Sequence, residues 1–289
     1  MTACDVILPV HNAAATLEVA VGSLLGQTHR DLRIIAIDDG STDASLEILR
    51  GIRDDRMLLV VNEENLGLPA TLNRGVALAE APFIARMDAD DVAHPSRLEK
   101  QVQALLARPD LDLLGTAVVC IDSQGRLLGQ RTFPATHPEI VTRPYRSIPL
   151  AHPTWCGRRE WFVGHPYDPS DLKAQDQSLL RRAMDGSCYG NLTEPLLAYR
   201  ESTSSRPGST LRSRGYIARD MIRTGRSRGE LISGITGAAG VLSRWSLDVL
   251  VWITGDPRAA FHRFEPLAEG HRLEWESILG KSRCCGQRG

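Results

Sequence analysis

The chain has 289 residues, 42% apolar and 24% charged, with a formal net charge of −1. That length allows one large domain, or one domain with an appendage, of ordinary soluble composition. Near-neutral charge removes any whole-molecule electrostatic case for nucleic acid, and six scattered cysteines without a CxxC pair argue against a zinc site or disulfide framework. A reducing, cytoplasmic setting fits this cysteine usage, and no basic stretch precedes the apolar run from Val6 to suggest a signal peptide.

The first 120 residues alternate. Short β-rich runs at 5–10 (DVILPV), 33–37 (RIIAI), 57–61 (MLLVV) and 82–87 (PFIARM) are separated by helical patterns over 14–26, 43–54 and 68–80. That beat has the size of βαβ units and predicts a parallel sheet covered on both faces. Pro95 is expected in the first turn of a helix that continues as RLEKQVQALL. Residues 113–122 read as a further strand with a hairpin turn after it, and 174–185 as a helix. Residues 130–170 show no clear period.

Acidic residues gather where such strands end. Asp38 and Asp39 follow RIIAI, and Asp88, Asp90 and Asp91 follow PFIARM. Ligands of open α/β sheets bind beyond the carboxyl ends of the strands, so neighbouring acidic loops would form one crevice. The Asp88 loop is either a solvated turn or a site for a hard cation such as Mn2+ or Mg2+. Other motifs fail. No GxGxxG follows the first strand, Trp275 stands where a phosphate loop ending at Gly280-Lys281-Ser282 needs glycine, and Val92 and Ala93 spoil an EF-hand. GRSRG at 225–229 has no preceding strand to make it a nucleophile elbow.

Four blocks, VILPVHNAAATLEVAVGSLLGQT, IIAIDDGSTD, NLGLPATLNRGVALA and IARMDADDVAHPSRLEKQ, together resemble the family-2 glycosyltransferases in order and spacing. HPTW (152–155), AQDQSLLRRA (174–183) and EPLLAYR (194–200) resemble the acceptor-side segments of that family. The resemblance implies the α/β, Rossmann-like GT-A fold of nucleotide-diphospho-sugar transferases, with a C-terminal helical extension. It further implies that Pro9, Val10 and Asn12 lie against the nucleotide base, with Asp39 accepting from a uracil-like N–H. Asp88 would hold the ribose or donor sugar and Asp90 the Mn2+ or Mg2+, with Asp91 beside it. The family's catalytic base is the Asp of a Glu-Asp pair opening a helix; here the pair reads Gln175-Asp176, so Asp176 is the candidate and Asp171 the nearest substitute. His152 and Arg200 are secondary candidates. Structural readings stand beside these: Pro9 as a strand-end breaker, Asn12 and Thr16 as a turn and helix start, Asn73 and Gly75 as helix packing, and Asp176 as a partner of the helix dipole.

The expected division is a catalytic domain over 1–207, with a nucleotide half (1–115) and an acceptor half (116–207), and an extension over 208–289. Eight arginines against Glu201 and Asp220 lie between Arg200 and Arg228. Leu231, Ile235, Ala238, Leu242, Trp245, Val249 and Trp252 then recur at helical spacing. This helix either packs on the catalytic domain or lies on an anionic membrane surface, the inner face of the cytoplasmic membrane. Arg244, Asp248 and the glycines argue against a span, and the tail KSRCCGQRG reads as disordered. The implied activity is inverting, metal-dependent transfer from a nucleotide-sugar, of the UDP type, to a saccharide or lipid-linked saccharide in surface polysaccharide or glycolipid assembly. A non-catalytic nucleotide-sugar-binding homologue and a sugar-phosphate nucleotidyltransferase are the alternatives.

Overall fold

The expected alternation is present as β1 (Cys4–Val10), α1 (Leu17–Leu25), β2 (Leu32–Asp39), α2 (Ser45–Gly51), β3 (Met57–Asn62), α3 (Leu68–Leu78) and β4 (Phe83–Arg86). The side-chain period of two along β1 sets the layers. Val6, Leu8 and Val10 join Leu17, Ala20, Val21 and Leu24 of α1 on one face, while Ile7 joins Ile35, Ile37, Leu72 and Val76 on the other. Every residue of β1 is buried, so the sheet needs helices on both sides. The computed structural model describes residues 3–171, 173–201, 207–245 and 264–285.

After β4 come β5 (Val92–Ala93), α4 (Arg97–Ala107), β6 (Leu113–Ile121), β7 (Leu127–Arg131), α5 (His137–Ile140), β8 (Cys156–Arg158), α6 (Arg159–Gly164), α7 (Gln175–Ala183) and β9 (Tyr189–Arg200). The sheet runs β3-β2-β1-β4-β8-β6-β9-β5, with β7 paired to β6. β1 to β4 are parallel, as expected, but β8 enters antiparallel to both β4 and β6, so the sheet is mixed. Pro95 lies just before α4, whose cap position is Ser96, rather than inside the first turn. The stretch without a period, 130–170, holds the short elements α5, β8 and α6, each too brief to display one.

The carboxyl part forms α8 (Pro207–Ser227), α9 (Leu231–Ser243) and α10 (Glu269–Cys285). A fully buried ion pair, Arg181 to Asp220, pins α8 to α7. The α8–α9 hairpin is joined through glycines: a Cβ on Gly234 would sit 2.5 Å from the Met221 carbonyl. α9 therefore packs by its small residues Gly234 and Ala238, and Leu231, Ile232, Ile235, Leu242 and Trp245 are exposed. That reverses the side expected to face protein if the helix packed by its large apolar residues. The remainder of the anticipated helix, with Asp248, Val249 and Trp252, lies outside the described residues. The tail expected to be disordered is helical as far as Cys285. Among the described residues no helix is long and apolar enough to cross a membrane.

α10 folds back onto the sheet. Trp275 is 1% exposed, packs with Val119, Ile121 and Ala198, and donates its indole N–H to the Pro195 carbonyl at 3.1 Å. Its ring meets His94 edge-on at 5.4 Å, and His94 Nε2 lies 2.9 Å from Glu274. Trp275→Ala removes this anchor and should cost about 3–5 kcal/mol. Urea unfolding followed by far-UV circular dichroism checks it; a change below ~1 kcal/mol would show that α10 adds little to the fold.

Candidate active-site crevice

β2, β1 and β4 lie side by side, so the loops at their carboxyl ends share one rim. Pro9 and Val10 are buried at the end of β1. The Ile7 carbonyl accepts from Met87, so alternate residues of β1, Pro9 included, turn their N–H side toward β4. β4 stops pairing at Ile7, and Pro9 lies beyond that point, where a missing donor leaves no ladder bond unmade. Asn12 follows with a left-handed backbone (φ 52°), which asparagine tolerates better than most residues. Its Oδ1 accepts from the Thr42 amide at 2.8 Å, and its own amide donates to Ser41 Oγ at 3.0 Å. The first two loops are thus tied together.

Asp39, 4% exposed, accepts from Asn62 Nδ2 (2.7 Å), Leu66 N (2.9 Å) and Gly67 N (3.0 Å). Its carboxylate thus organises the 62–67 loop and keeps about one lone-pair site free. Gly40 makes this turn with φ 66°, and a Cβ there would lie 2.7 Å from the Asn65 amide nitrogen. Asn73 and Gly75 serve packing, as their structural reading expected. Asn73 exchanges two hydrogen bonds with the Tyr167 backbone, and a Cβ on Gly75 would meet Ile7 at 2.5 Å.

In the Asp88 loop, Asp88 is half-buried, Asp90 exposed and Asp91 buried. One oxygen each of Asp88, Asp90 and Asp91 lies within 4.8 Å of the others. Asp88 takes a two-pronged bond from Arg86, a side chain 1% exposed at the end of β4. Asp91 is buried; its Oδ1 accepts the Arg200 amide at 3.0 Å and its Oδ2 has no partner among the described residues. The Arg200 guanidinium reaches the Asp90 carbonyl at 2.9 Å and the Asp122 carbonyl at 2.9 Å. Arg97, fully buried under the strand, donates to the Arg86 carbonyl at 2.7 Å. Desolvation, then the charge of Asp88, raises the Asp90 carboxyl above the ordinary carboxylate range. Asp91 is raised further, by its own burial and by both neighbours. Hard oxygens, mutual repulsion and an orphaned buried oxygen suit a divalent cation such as Mn2+ or Mg2+.

Asp176 stands in the first turn of α7, after Ala174 at φ 56°, a left-handed backbone uncommon for a residue with a Cβ. Burial raises its carboxyl, opposed by hydrogen bonds from Gln177 and by the charges of Arg181 and Arg86. Gln175 precedes it, half-buried. The Gln177 amide clasps the Ile148 backbone at 2.9 and 3.0 Å, fixing this end of the helix. His152 is buried and shares a 2.7 Å hydrogen bond with the Tyr167 hydroxyl. Burial, and secondarily the Arg86 charge, holds it neutral well below the usual histidine range. Asp171 is occupied by Arg223 at 3.2 Å. Two residues escaped the sequence reading: Arg86 and Tyr167. A lone arginine inside the apolar run Pro82–Met87 was the available signal for Arg86; nothing local marks Tyr167.

Protons compete with a cation for raised carboxyls, and the cation needs them ionised. Mn2+ affinity should therefore climb as pH rises through the region above the ordinary carboxylate range of about 4. Calorimetry at pH 5 and pH 7.5 should find weaker binding and larger proton release at the lower pH. Affinity independent of pH would place the ion elsewhere.

Residues 5–163 match the family described as glycosyl transferase family 2. A putative glycosyltransferase of Bacillus subtilis (strain 168), EpsE, is 31% identical over 209 residues, covering 70% of this chain and 74% of its own. The O-antigen biosynthesis glycosyltransferase WbnJ of Escherichia coli is 28% identical, covering 72% and 83%. Among solved structures, S. aureus TarS 1–349 in complex with UDP-GlcNAc superposes with TM-score 0.60 at 17% identity, covering 97% of this chain and 80% of that one. The mannosyltransferase PcManGT of Pyrobaculum calidifontis, in complex with GDP-Man and Mn2+, gives TM-score 0.58 at 17% identity, covering 99% and 87%. These likenesses, together with the mixed α/β sheet and its helical carboxyl part, place the fold as GT-A. The chain belongs to the family-2 glycosyltransferases.

Proposed function

We propose that this glycosyltransferase moves a sugar with inversion from a nucleotide-sugar, of the UDP type, to a saccharide or lipid-linked saccharide acceptor in surface polysaccharide or glycolipid assembly. The observation that carries the reading is the cluster of Asp88, Asp90 and Asp91 at the carboxyl end of β4, one oxygen of each lying within 4.8 Å of the others. Residues 1–115 supply the donor side, 116–207 the acceptor side, and 208–289 an extension.

In this reading Pro9, Val10 and Asn12 form the rim against the base, and Asp39 offers its remaining lone pair to a uracil-like N–H. Asp88, oriented by Arg86, holds the ribose or donor sugar. Asp90, with Asp91 beside it, would hold Mn2+ or Mg2+, which when bound supplies Lewis-acid stabilisation to the departing nucleoside diphosphate. Asp176 takes the proton of the acceptor hydroxyl as that oxygen attacks the anomeric carbon, and its raised carboxyl makes it a better base than an exposed aspartate. Gln175, where the family has Glu, spares Asp176 a second negative neighbour. His152, neutral and bonded to Tyr167, fills the wall between the halves, and Arg200 holds the Asp90–Asp91 loop closed. Peripheral attachment at the inner face of the cytoplasmic membrane is supported by the exposed apolar side chains of α9 and the exposed Arg219 and Arg226 of α8.

A thermal-shift screen of nucleotide-sugars with Mn2+ tests the donor. UDP should stabilise the wild type only with metal, and Asp90→Asn should lose that dependence with its fold intact. Metal-dependent stabilisation of Asp90→Asn at the wild-type level would remove Asp90 as a ligand.

Asp176→Asn should lower transfer by about 10²–10⁴-fold while UDP binding hardly changes, because the base faces the acceptor. Equal transfer by both proteins would assign the proton to another group. If the wild type is inactive and Gln175→Glu gains transfer, the chain is a binding homologue instead.

A further inference from the structure

Asp176 lies between two residues that one guanidinium holds together. Arg223 of α8 donates through Nη2 to Asp171 Oδ1 at 3.2 Å, on the approach to α7, and to Ser178 Oγ at 3.4 Å, inside its first turns. The same nitrogen reaches Asp220 Oδ1 at 3.3 Å, and Nη1 reaches Asp168 Oδ2 at 3.4 Å. Asp220 in turn accepts from the buried Arg181 guanidinium of α7, Nε lying at 2.9 Å. One helix of the extension thus grips the chain on both sides of the candidate base.

The Asp171 side chain is only 13% exposed and bonds to nothing but Arg223 among the described residues. Without the guanidinium it would be a poorly hydrated carboxylate with no partner, relieved by turning out to water and taking its backbone along. Asp220 would keep Arg181, so the contact between α8 and α7 would survive that loss. Between Asp171 and Ser178 the chain passes through Ala174 at φ 56°, which a residue with a Cβ keeps only where its surroundings fix it. Ser178 and Arg181, three apart, share the stripe of α7 that bonds to α8. Asp176 comes two positions before Ser178, about 200° around the helix, so α8 backs the carboxylate without touching it.

We propose that Arg223 is a positioning residue for Asp176: by tying Asp171 to Ser178 it sets the turn that presents the carboxylate to the acceptor hydroxyl. The proposal rests on the reading of Asp176 as the base. It makes α8 a working part of the transfer site rather than an appendage.

The test compares, in the full chain, Arg223→Gln with Arg228→Gln, which releases Asp185 beyond the far end of α7. Deuterium exchange of the amides from Lys173 to Ser178 should quicken on the order of tenfold in Arg223→Gln and keep the wild-type rate in Arg228→Gln. The chemical readout is UDP release, with water as acceptor, from the UDP-sugar that gives the largest thermal shift. Its kcat should fall about tenfold in Arg223→Gln with the donor KM unchanged, since a small displacement is enough to spoil the proton transfer. In an Asp176→Asn background, Arg223→Gln should cost nothing further, because the group it positions is gone. UDP with Mn2+ should stabilise all these variants alike, which separates a displaced base from a lost fold. Unchanged exchange, equal losses in Arg223→Gln and Arg228→Gln, or a full second loss in the Asp176→Asn background would overturn the proposal. Release by Asp176→Asn as fast as by the wild type would sink the base reading instead, and the exchange comparison would still judge the tether.

Discussion

The fold around the crevice depends on one buried charge. Arg86 sits at the end of a fully buried strand, where stripping water from a guanidinium costs several kcal/mol unless a partner compensates. Asp88 compensates it from above, while Arg97 below holds the Arg86 carbonyl rather than its charge. Arg200 closes the far side of the loop through backbone groups. Two arginines, from β4 and β9, therefore grip one acidic turn, and a third from α4 holds the strand end that leads into it. The carboxylates are crowded because cations around them fix the backbone, not because the loop is free to spread and fails to.

This arrangement explains why the two sides of the crevice differ in rigidity of design. At the ends of β1 and β2, side chains bond to neighbouring loops: Asn12 to Thr42, Asp39 to the 62–67 turn. Around Asp176, the start of α7 depends instead on a clasp between Gln177 and a segment with no regular structure of its own.

How much of this was legible in the sequence follows from local chemistry. The strand–helix beat is a matter of side-chain period, so β1 through α3 could be read to within a few residues. The acidic cluster was legible because strand ends collect ligands in such sheets. Arg86 was not, since its partner choice depends on the depth of β4, which a string of letters does not state. Antiparallel β8 was hidden because three residues cannot display a period. α9 misled for another reason. Its spacing marks a helix with an apolar stripe, but close approach to Met221 and Gly225 selects the glycine side for packing and turns the stripe outward. Tight contact outweighed hydrophobicity there.

The seating of α10 also has a consequence for the order in which the molecule is made. His94 and Glu274 are separated by 180 positions, and Trp275 closes over strands laid down long before it. At typical synthesis rates of 5–20 residues per second, roughly ten to forty seconds pass between their emergence from the ribosome. Until α10 is made, Val92, Val119, Ile121 and, once β9 is complete, Ala198 lack the cover that Trp275 gives them.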